Sequence, residues 1–475
     1  MRHAQYDMTI IGGGSGGLTA ARIAASLGAN VLLIDKERLG GDCLHYGCVP
    51  SKSLIHVARV VQQAKDAAKL GLLPANLNVD MAKVSEYVQS VISRVAEGEQ
   101  VYTEGVTVQF GRVFFKSATE LDVNGESISS RTTLIATGSH PAVPHVEGLE
   151  ETGYLTNEDV FDLTRLPASI IIVGGGPIGV ELGQAFERLG AKVTIIQGPD
   201  RILPKEDPEV SATIASVLKF EGTDIVTGVR FIKAGCNGDK KVVTTEQGNQ
   251  LLSFEADEII LAAGRKPNVE GLNLEAAGVE YDSKHVKVDE YLQTSASNIL
   301  AIGDVIGGYQ FTHVAAYQAS VAVRNALVPL GKKKVDYRVV PWCTFTDPEA
   351  ARVGMIPEEA KKHFKQVRIV KFPWAEIDRA QTDSETTGFI KLVLAGKKDE
   401  IVGAHMVGAQ AGELLGEMAL VMQHHLGLNN ILSTIHTYPT MNTGIQQATF
   451  EAYLEGAVAA SNRKVVHAVL QLRGL

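Results

Sequence analysis

The sequence predicts an α/β protein built on two βαβ units of one design, followed by a C-terminal α+β region. Three observations predict it. A glycine-rich turn beginning at Gly12 joins an apolar strand to an Ala-rich helix. A turn of the same kind begins at Gly174. Beyond Lys332 the pattern is strand-rich to about His405 and helical from Gly412 onward. At roughly 150 residues per domain, 475 residues suggest about three domains and ample core.

The elements follow in order. Tyr6–Ile11 is a short β run, Gly12 to Gly17 is the turn, the helix runs to Gly28, and Asn30–Asp35 is a second apolar strand. Ser169–Val173, Gly174 to Gly179, a helix to Gly190 and Ala191–Gln197 repeat that plan. Gly12 to Asp35 and Gly174 to Gln197 both span 23 residues. Between the units, residues 53–100 carry helical periodicity broken near Gly71–Asn78. Residues 105–136 alternate as an antiparallel sheet does, with a hairpin signal at Asn124-Gly125. Residues 225–262 are β-rich, with a turn at Asn237-Gly238.

Composition narrows the function. The 45% apolar and 21% charged content excludes a disordered chain. The net charge of −9 argues against nucleic acid as a partner, Lys332-Lys333-Lys334 being the longest basic run. No stretch approaches the ~18 apolar residues of a membrane span. The direct entry into a strand near Met1 predicts no cleavable signal peptide. Four cysteines exclude a disulfide scaffold and fit a reducing cytoplasm.

Each glycine motif has the form Gly-x-Gly-x-x-Gly: Gly12, Gly14 and Gly17, then Gly174, Gly176 and Gly179. The first glycine makes the turn, the second lets backbone approach a pyrophosphate, and the third packs helix on strand, with the helix N-terminus facing the anion. Asp35 ends the first unit as a carboxylate for a ribose 2′-OH, which suits the adenosine ribose of FAD. Gln197 ends the second and lacks the charge that would repel a 2′-phosphate. Arg201 is placed either for that phosphate or for solvent, so NADH and NADPH both stay open with a slight lean to NADPH.

Cys43 and Cys48 share one short segment, Cys43-Leu44-His45-Tyr46-Gly47-Cys48-Val49-Pro50-Ser51-Lys52. In a regular helix they would lie about 7.5 Å apart along the axis. A disulfide wants Cα atoms within about 6.8 Å. Gly47 supplies the necessary bend, and Pro50 suits the first turn of a helix whose N-terminus would carry Cys48 and stabilise its thiolate. Inert thiols and half a zinc site are the alternatives. A metal needs more ligands than His45 and His56 offer, so a redox disulfide is favoured.

From Gly40 through Lys52 the chain resembles the redox signature of the class I pyridine nucleotide–disulfide oxidoreductases, flavoproteins that include dihydrolipoamide dehydrogenase, glutathione reductase and mercuric reductase. Ala136-Thr137-Gly138-Ser139 and Ala262 to Asn268, with Gly264, are similar to the family's two domain-junction segments. Thr294 to Asp304 is similar to its second FAD motif. Phe345-Thr346-Asp347-Pro348-Glu349 is similar to the opening of its dimerisation domain. The resemblance implies two Rossmann-like dinucleotide-binding domains plus a C-terminal α+β dimerisation domain: residues 1–150 for FAD, 151–270 for NAD(P), 271–334 returning to the FAD domain, and 335–475 for the interface.

The resemblance also implies a homodimer using FAD and NAD(P)H. Cys48 matches the charge-transfer thiol and Cys43 the interchange thiol. Lys52 and Glu181 match an ion pair beside flavin N5. Gly303-Asp304 matches the site of the ribityl chain, and Thr137, Gly138 and Gly264 match cofactor-contacting positions.

Two departures stand out. Where disulfide-reducing members carry a His-Pro pair and a Glu five residues after that His, this chain has Tyr438-Pro439 and Thr443. A Tyr of pKa ~10 is a poor base at neutral pH, which makes His436 a second candidate. Mercuric reductases also carry a Tyr in that region, but they end in a cysteine pair, and no Cys follows Cys343 here. His45 is an additional candidate proton relay to Cys43, and Asp42 would disfavour the Cys43 thiolate if it points inward. The expected acceptor is a lipoyl-type or other disulfide first, a metal ion or quinone second. A flavin-bound redox sensor with little turnover is the reading from another class.

Overall fold

The computed structural model describes residues 5–72, 77–329 and 331–472. β1 (Tyr6–Ile11) is an apolar run that enters Gly12 and then α1 (Ser15–Ser26); β2 (Val31–Asp35) returns parallel to β1. A five-residue helix, α2 (Gly41–His45), precedes α3 (Cys48–Asp66) and α4 (Met81–Gly98). Four strands follow: β3 (Thr107–Phe110), β4 (Val113–Ser117), β5 (Glu120–Val123) and β6 (Glu126–Ile135). Asn124 and Gly125, at φ 53° and 90°, form the left-handed turn of the β5–β6 hairpin. The antiparallel expectation for 105–136 needs one correction. β3 lies parallel to β2, and the second half of β6 lies parallel to β1. The reason is burial: Thr133, Leu134 and Ile135 are all enclosed, as a strand in a covered parallel sheet requires.

The chain continues through β7 (Ser139–Pro141), α5 (Leu149–Thr152), β8 (Ser169–Val173), α6 (Pro177–Leu189), β9 (Lys192–Gln197), α7 (Pro208–Glu221) and β10 (Asp224–Thr227). β9 and β10 are parallel. β11 (Arg230–Asn237), β12 (Lys240–Gln247) and β13 (Gln250–Ala256) form a small sheet, and β14 (Glu258–Leu261) runs parallel to β8. β15 (Arg265–Pro267) pairs antiparallel with β7, joining the two junction segments, and β16 (Ile299–Ala301) pairs with β6 ahead of α8 (Thr312–Leu327).

The C-terminal sheet has the order β17 (Pro341–Thr344), β18 (Glu349–Gly354), β21 (Glu400–Gly408), β20 (Phe389–Ala395), β19 (Val367–Pro373), all antiparallel. Two helices interrupt the region expected to be strands, α9 (Pro357–His363) and α10 (Asp378–Thr382). α9 starts where Pro357 fills the first turn and the Glu359 carboxylate accepts from the Ile356 N–H. The helices α11 (Ala411–Gln423), α12 (Leu428–Ser433), α13 (Thr443–Glu455) and α14 (Ala457–Leu472) complete the chain. Trp374, Ile390, Leu392, Met406, Met418 and Ile445 belong to one buried core there. The chain divides into two compact units, one of residues 1–174, 188–193 and 231–336, the other of 175–187, 194–230 and 337–475.

Within the second unit a row of residues crosses all five strands. Trp342, Arg352, His405, Lys391 and Lys371 are successive cross-strand partners. An acidic segment answers it. Glu206 accepts from the Trp342 indole at 2.6 Å, Asp207 pairs with Lys391 at 2.8 Å, and Glu209 bonds Lys371 as well as Lys391. His405 is fully buried between two cations, with Nε2 on the Met355 carbonyl at 2.9 Å. Burial first, then Arg352 and Lys391, lowers its pKa from 6.5 to about 4. An unfolded His titrates near 6.5, so its neutral form contributes full stability above that pH. The contribution is lost as pH falls toward 4, by on the order of 3 kcal/mol. The urea midpoint of the full chain should therefore drop between pH 7 and 5, and a His405→Gln variant should show a flatter dependence. Identical slopes in the two proteins would exclude His405 as the cause.

Candidate functional site

The two glycine turns are built alike. Gly12 and Gly174 have φ of 108° and 120°, and a Cβ on either would stand 2.3 Å from a carbonyl oxygen, of Ala136 and Ala262 respectively. Only glycine meets both demands. At the second positions the space is open: a Cβ at Gly14 meets nothing nearer than 3.8 Å, and one at Gly176 nothing within 4 Å. A Cβ at Gly17 would fall 1.8 Å from the Gly12 carbonyl, which fixes the close approach of α1 to the turn. Asp35 Oδ2 accepts from the Gly13 N–H at 2.7 Å, and Gln197 Oε1 accepts from Gly175 N–H at the same distance. Two open anion cradles, each closed at its rear by the last residue of the returning strand, fit two dinucleotides. Arg201 does not stand free: it donates to the Pro204 carbonyl at 2.9 Å.

The junction segments lie side by side. Thr137 Oγ1 donates to the Asn268 carbonyl at 2.7 Å, Asn268 Nδ2 donates to the Thr137 carbonyl at 2.8 Å, and Asn268 N–H reaches the Gly138 carbonyl. Gly138 and Gly264 hold φ of 70° and 131°. The Gly303 N–H is bonded to buried Gln318, which sets Asp304 beside Ser139, whose hydroxyl donates to Asp304 Oδ2 at 2.6 Å. Burial raises the Asp304 pKa, against the opposing pull of Ser139 and Arg265.

The cysteine loop is pinned to the first glycine turn. Gly40 N–H donates to the Gly13 carbonyl at 2.8 Å, and the Gly14 and Gly40 backbones form a β-bridge. Cys48 is the first residue of α3, with Pro50 in the same turn. Its Sγ lies 3.7 Å from Oγ1 of Thr312, the first residue of α8, so two helix N-termini meet at one sulfur. Cys43 hydrogen-bonds Cys48. That bond first, then burial and the charge of Cys48, raise the Cys43 pKa strongly. Lys52 follows Cys48 by one helical turn and shares its face of α3.

In the other unit, the buried Glu181 accepts from the Phe345 N–H at 2.8 Å. Gln184, one turn on, clamps Asp347 through both its backbone groups at 2.8 Å. Sequence reasoning placed the Phe345 motif but not this anchor.

Each candidate proton carrier has a partner in the structure. His45 binds the Leu39 carbonyl through Nε2 at 2.7 Å, and its pKa is lowered chiefly by burial. His436 has a side chain only 3% exposed, with Nε2 on Glu417 at 3.0 Å and Nδ1 on the Thr434 carbonyl at 3.0 Å. Asn442 holds the other Glu417 oxygen. Both His436 nitrogens are thus engaged. Tyr438 is the exposed residue, at 68%, and its hydroxyl donates to Asp378 at 3.0 Å, which raises its pKa. Asp42 points not at Cys43 but at Arg265, a partner the sequence did not suggest. Among the described residues no cluster of three or more His, Cys, Asp or Glu could hold a metal, and no helix is long and apolar enough to cross a membrane.

Two dinucleotide cradles and a facing cysteine pair define an oxidoreductase that handles electron pairs. Residues 6–319 match the family described as pyridine nucleotide-disulphide oxidoreductase, and residues 340–449 match the dimerisation domain of the same family. The chain belongs to this family and, with it, uses FAD and NAD(P)H and acts on a sulfur group. It is 36% identical to a mercuric reductase of Staphylococcus aureus, covering 94% of this chain and 82% of that one. It is 35% identical to a dihydrolipoyl dehydrogenase of Bacillus subtilis (strain 168), covering 94% and 98%. Among solved structures it matches the HOCl-induced flavoprotein disulfide reductase RclA from Escherichia coli at a TM-score of 0.84 and 29% identity, covering 94% and 99%.

Proposed function

We propose that this protein relays an electron pair between NAD(P)H and a disulfide or dithiol such as a lipoyl group, with Cys43 and Cys48 as the relay, in a cytoplasmic homodimer. The observation that carries the reading is the thiol pair itself: Cys48 opens α3 against the first residue of α8 and is hydrogen-bonded to Cys43. The glycine turn of residues 12–17, Asp35 and Asp304 would hold FAD, which would supply the two-electron link between the nicotinamide and the cysteine pair. In the reducing direction the Cys43–Cys48 bond breaks and both sulfurs are reduced. Cys43 then attacks the acceptor disulfide, and Cys48 displaces it from the mixed disulfide, re-forming the bond. The sum is NAD(P)H, a proton and a disulfide giving NAD(P)⁺ and two thiols. Cys48 is the thiol beside the flavin and Lys52 the cation one turn behind it. Glu181 is the carboxylate that the family resemblance assigns a positioning role, and Tyr438 is a surface donor for the acceptor.

A second reading, reduction of a metal ion, is favoured by one feature. Tyr438, held protonated by Asp378, cannot take a proton from an incoming thiol at neutral pH. The mercuric reductases among the relatives and the Cu(II) complex of RclA make that acceptor class worth testing. Steady-state assays of dihydrolipoamide with NAD⁺, and of glutathione disulfide, Hg(II), Cu(II) and quinones with each reduced nucleotide, separate the two. For a disulfide-directed enzyme, Tyr438→His should raise thiol–disulfide turnover about tenfold or more near pH 8. Unchanged disulfide turnover beside fast metal reduction would overturn the first reading.

A further inference from the structure

Asp42 immediately precedes Cys43 on α2, and its carboxylate is bound on two sides. Oδ2 lies 3.1 Å from Nη2 of Arg265, the side chains being 31% and 13% exposed. Asn157, buried, donates to Asp42 Oδ1 at 3.4 Å and to the Tyr46 carbonyl at 3.0 Å. Arg265 is itself fixed on the junction strands. Its Nε donates to Ser139 Oγ at 2.7 Å, its Nη2 to the Ser139 carbonyl at 3.0 Å, and its Nε lies 3.5 Å from Asp304. The carboxylate also abuts the bend between the cysteines. A Cβ on Gly47 would stand 3.2 Å from Asp42 Oδ2 and 3.1 Å from Cys43 Cα.

A carboxylate next to a thiol suppresses the thiolate unless its charge is compensated. The guanidinium supplies that compensation at contact distance, 3.1 Å from the carboxylate. We infer that Asp42 and Arg265 are a charge-balanced positioning pair. Asp42 ties the cysteine loop to the junction strands, and Arg265 cancels its field, so that the reactivity of Cys43 depends on the difference between the two charges. The inference rests on Cys43 being the thiol that meets the acceptor. The other ionisable groups around the loop include Cys48 and Lys52 on α3, His45 on α2 with Asp35 and Glu37 near it, Arg38 against Tyr46, Glu99 beside Gly40, and Asp304. All are unchanged in the variants below.

The test uses FAD-loaded holoenzyme, reduced anaerobically with one equivalent of whichever nucleotide bleaches the flavin. It is then alkylated with iodoacetamide at pH 7, with Cys43 followed by peptide mass. Asp42→Asn leaves the arginine charge unbalanced and should speed Cys43 alkylation about threefold. Arg265→Gln leaves the carboxylate unbalanced and should slow it by a similar factor. The double variant and Arg265→Lys should stay close to the parent. A strap without an electrostatic role would shift both single variants the same way, which overturns the inference. If Arg265→Gln fails to hold FAD, Asp42→Asn still decides, because an unchanged or slower rate refutes the pair. Absence of the long-wavelength thiolate–flavin absorbance in the unaltered protein would instead refute the assignment of Cys48, a separate outcome.

Discussion

Cys48→Ala is expected to abolish the long-wavelength charge-transfer absorbance that follows anaerobic NAD(P)H addition, and to cut disulfide-directed turnover by about a thousandfold or more. Flavin bleaching should persist, because the cradles at Gly12 and Gly174 do not depend on the thiol. The argument is positional. Cys48 opens α3 and touches the first residue of α8, so its sulfur faces the partial positive charge of two helix ends. Cys43 lies inside the short α2 and, although it too bonds Thr312, its bond to Cys48 dominates and raises its pKa. Removing Cys48 deletes the leading cause of the raised Cys43 pKa, so Cys43 in the variant should alkylate faster at pH 8 than in the reduced parent. Anaerobic titration and peptide mapping read both effects. A persistent absorbance band would mean that the two thiol roles are exchanged.

Lys391→Met should destabilise the protein by about 3–5 kcal/mol, read as the loss in urea-unfolding free energy of the full chain. Lys391 interrupts the otherwise apolar strand β20, and its ammonium is 4% exposed against the 2% exposed Asp207. It holds both Asp207 oxygens, at 2.8 and 2.9 Å, and Glu209 at 2.9 Å. Without it, Asp207 is a buried charge with no cation at contact, and that carboxylate also caps α7 by accepting from the Glu209 N–H. Lys391→Met with Asp207→Asn should recover much of the loss, since Asn keeps the cap and removes the charge. A single variant as stable as the parent would show that water reaches the pair.

The cofactor halves of the site were legible because they rest on local backbone. A left-handed φ at Gly12 and Gly174, and a carbonyl where a Cβ would stand, can be met by one residue type, so spacing alone revealed two cradles. The cysteine loop was legible for a similar reason: Gly47 and Pro50 constrain a short segment whose bend is local.

The proton carriers were not legible in this way. His436 and Tyr438 are two residues apart and equally polar in the sequence. Glu417 and Asn442, brought from α11 and the segment before α13, seal the first, and Asp378 meets the second. Which side chain is available is a question of solvent access, and no local pattern encodes that.

One signal of the buried network was visible, a lysine inside Phe389–Ala395, yet its partners lay out of view. The sequence by itself determined the α/β class, the two dinucleotide turns and the dithiol, since those follow from backbone freedom and short-range geometry. Tertiary structure alone decided that Asp42 turns to Arg265, that His45 turns to Leu39, and that Arg352, His405 and Lys391 stand in one row against an acidic segment. Each of these depends on strand register and on long-range charge compensation, where a buried group takes whichever partner the fold brings within 3 Å or so.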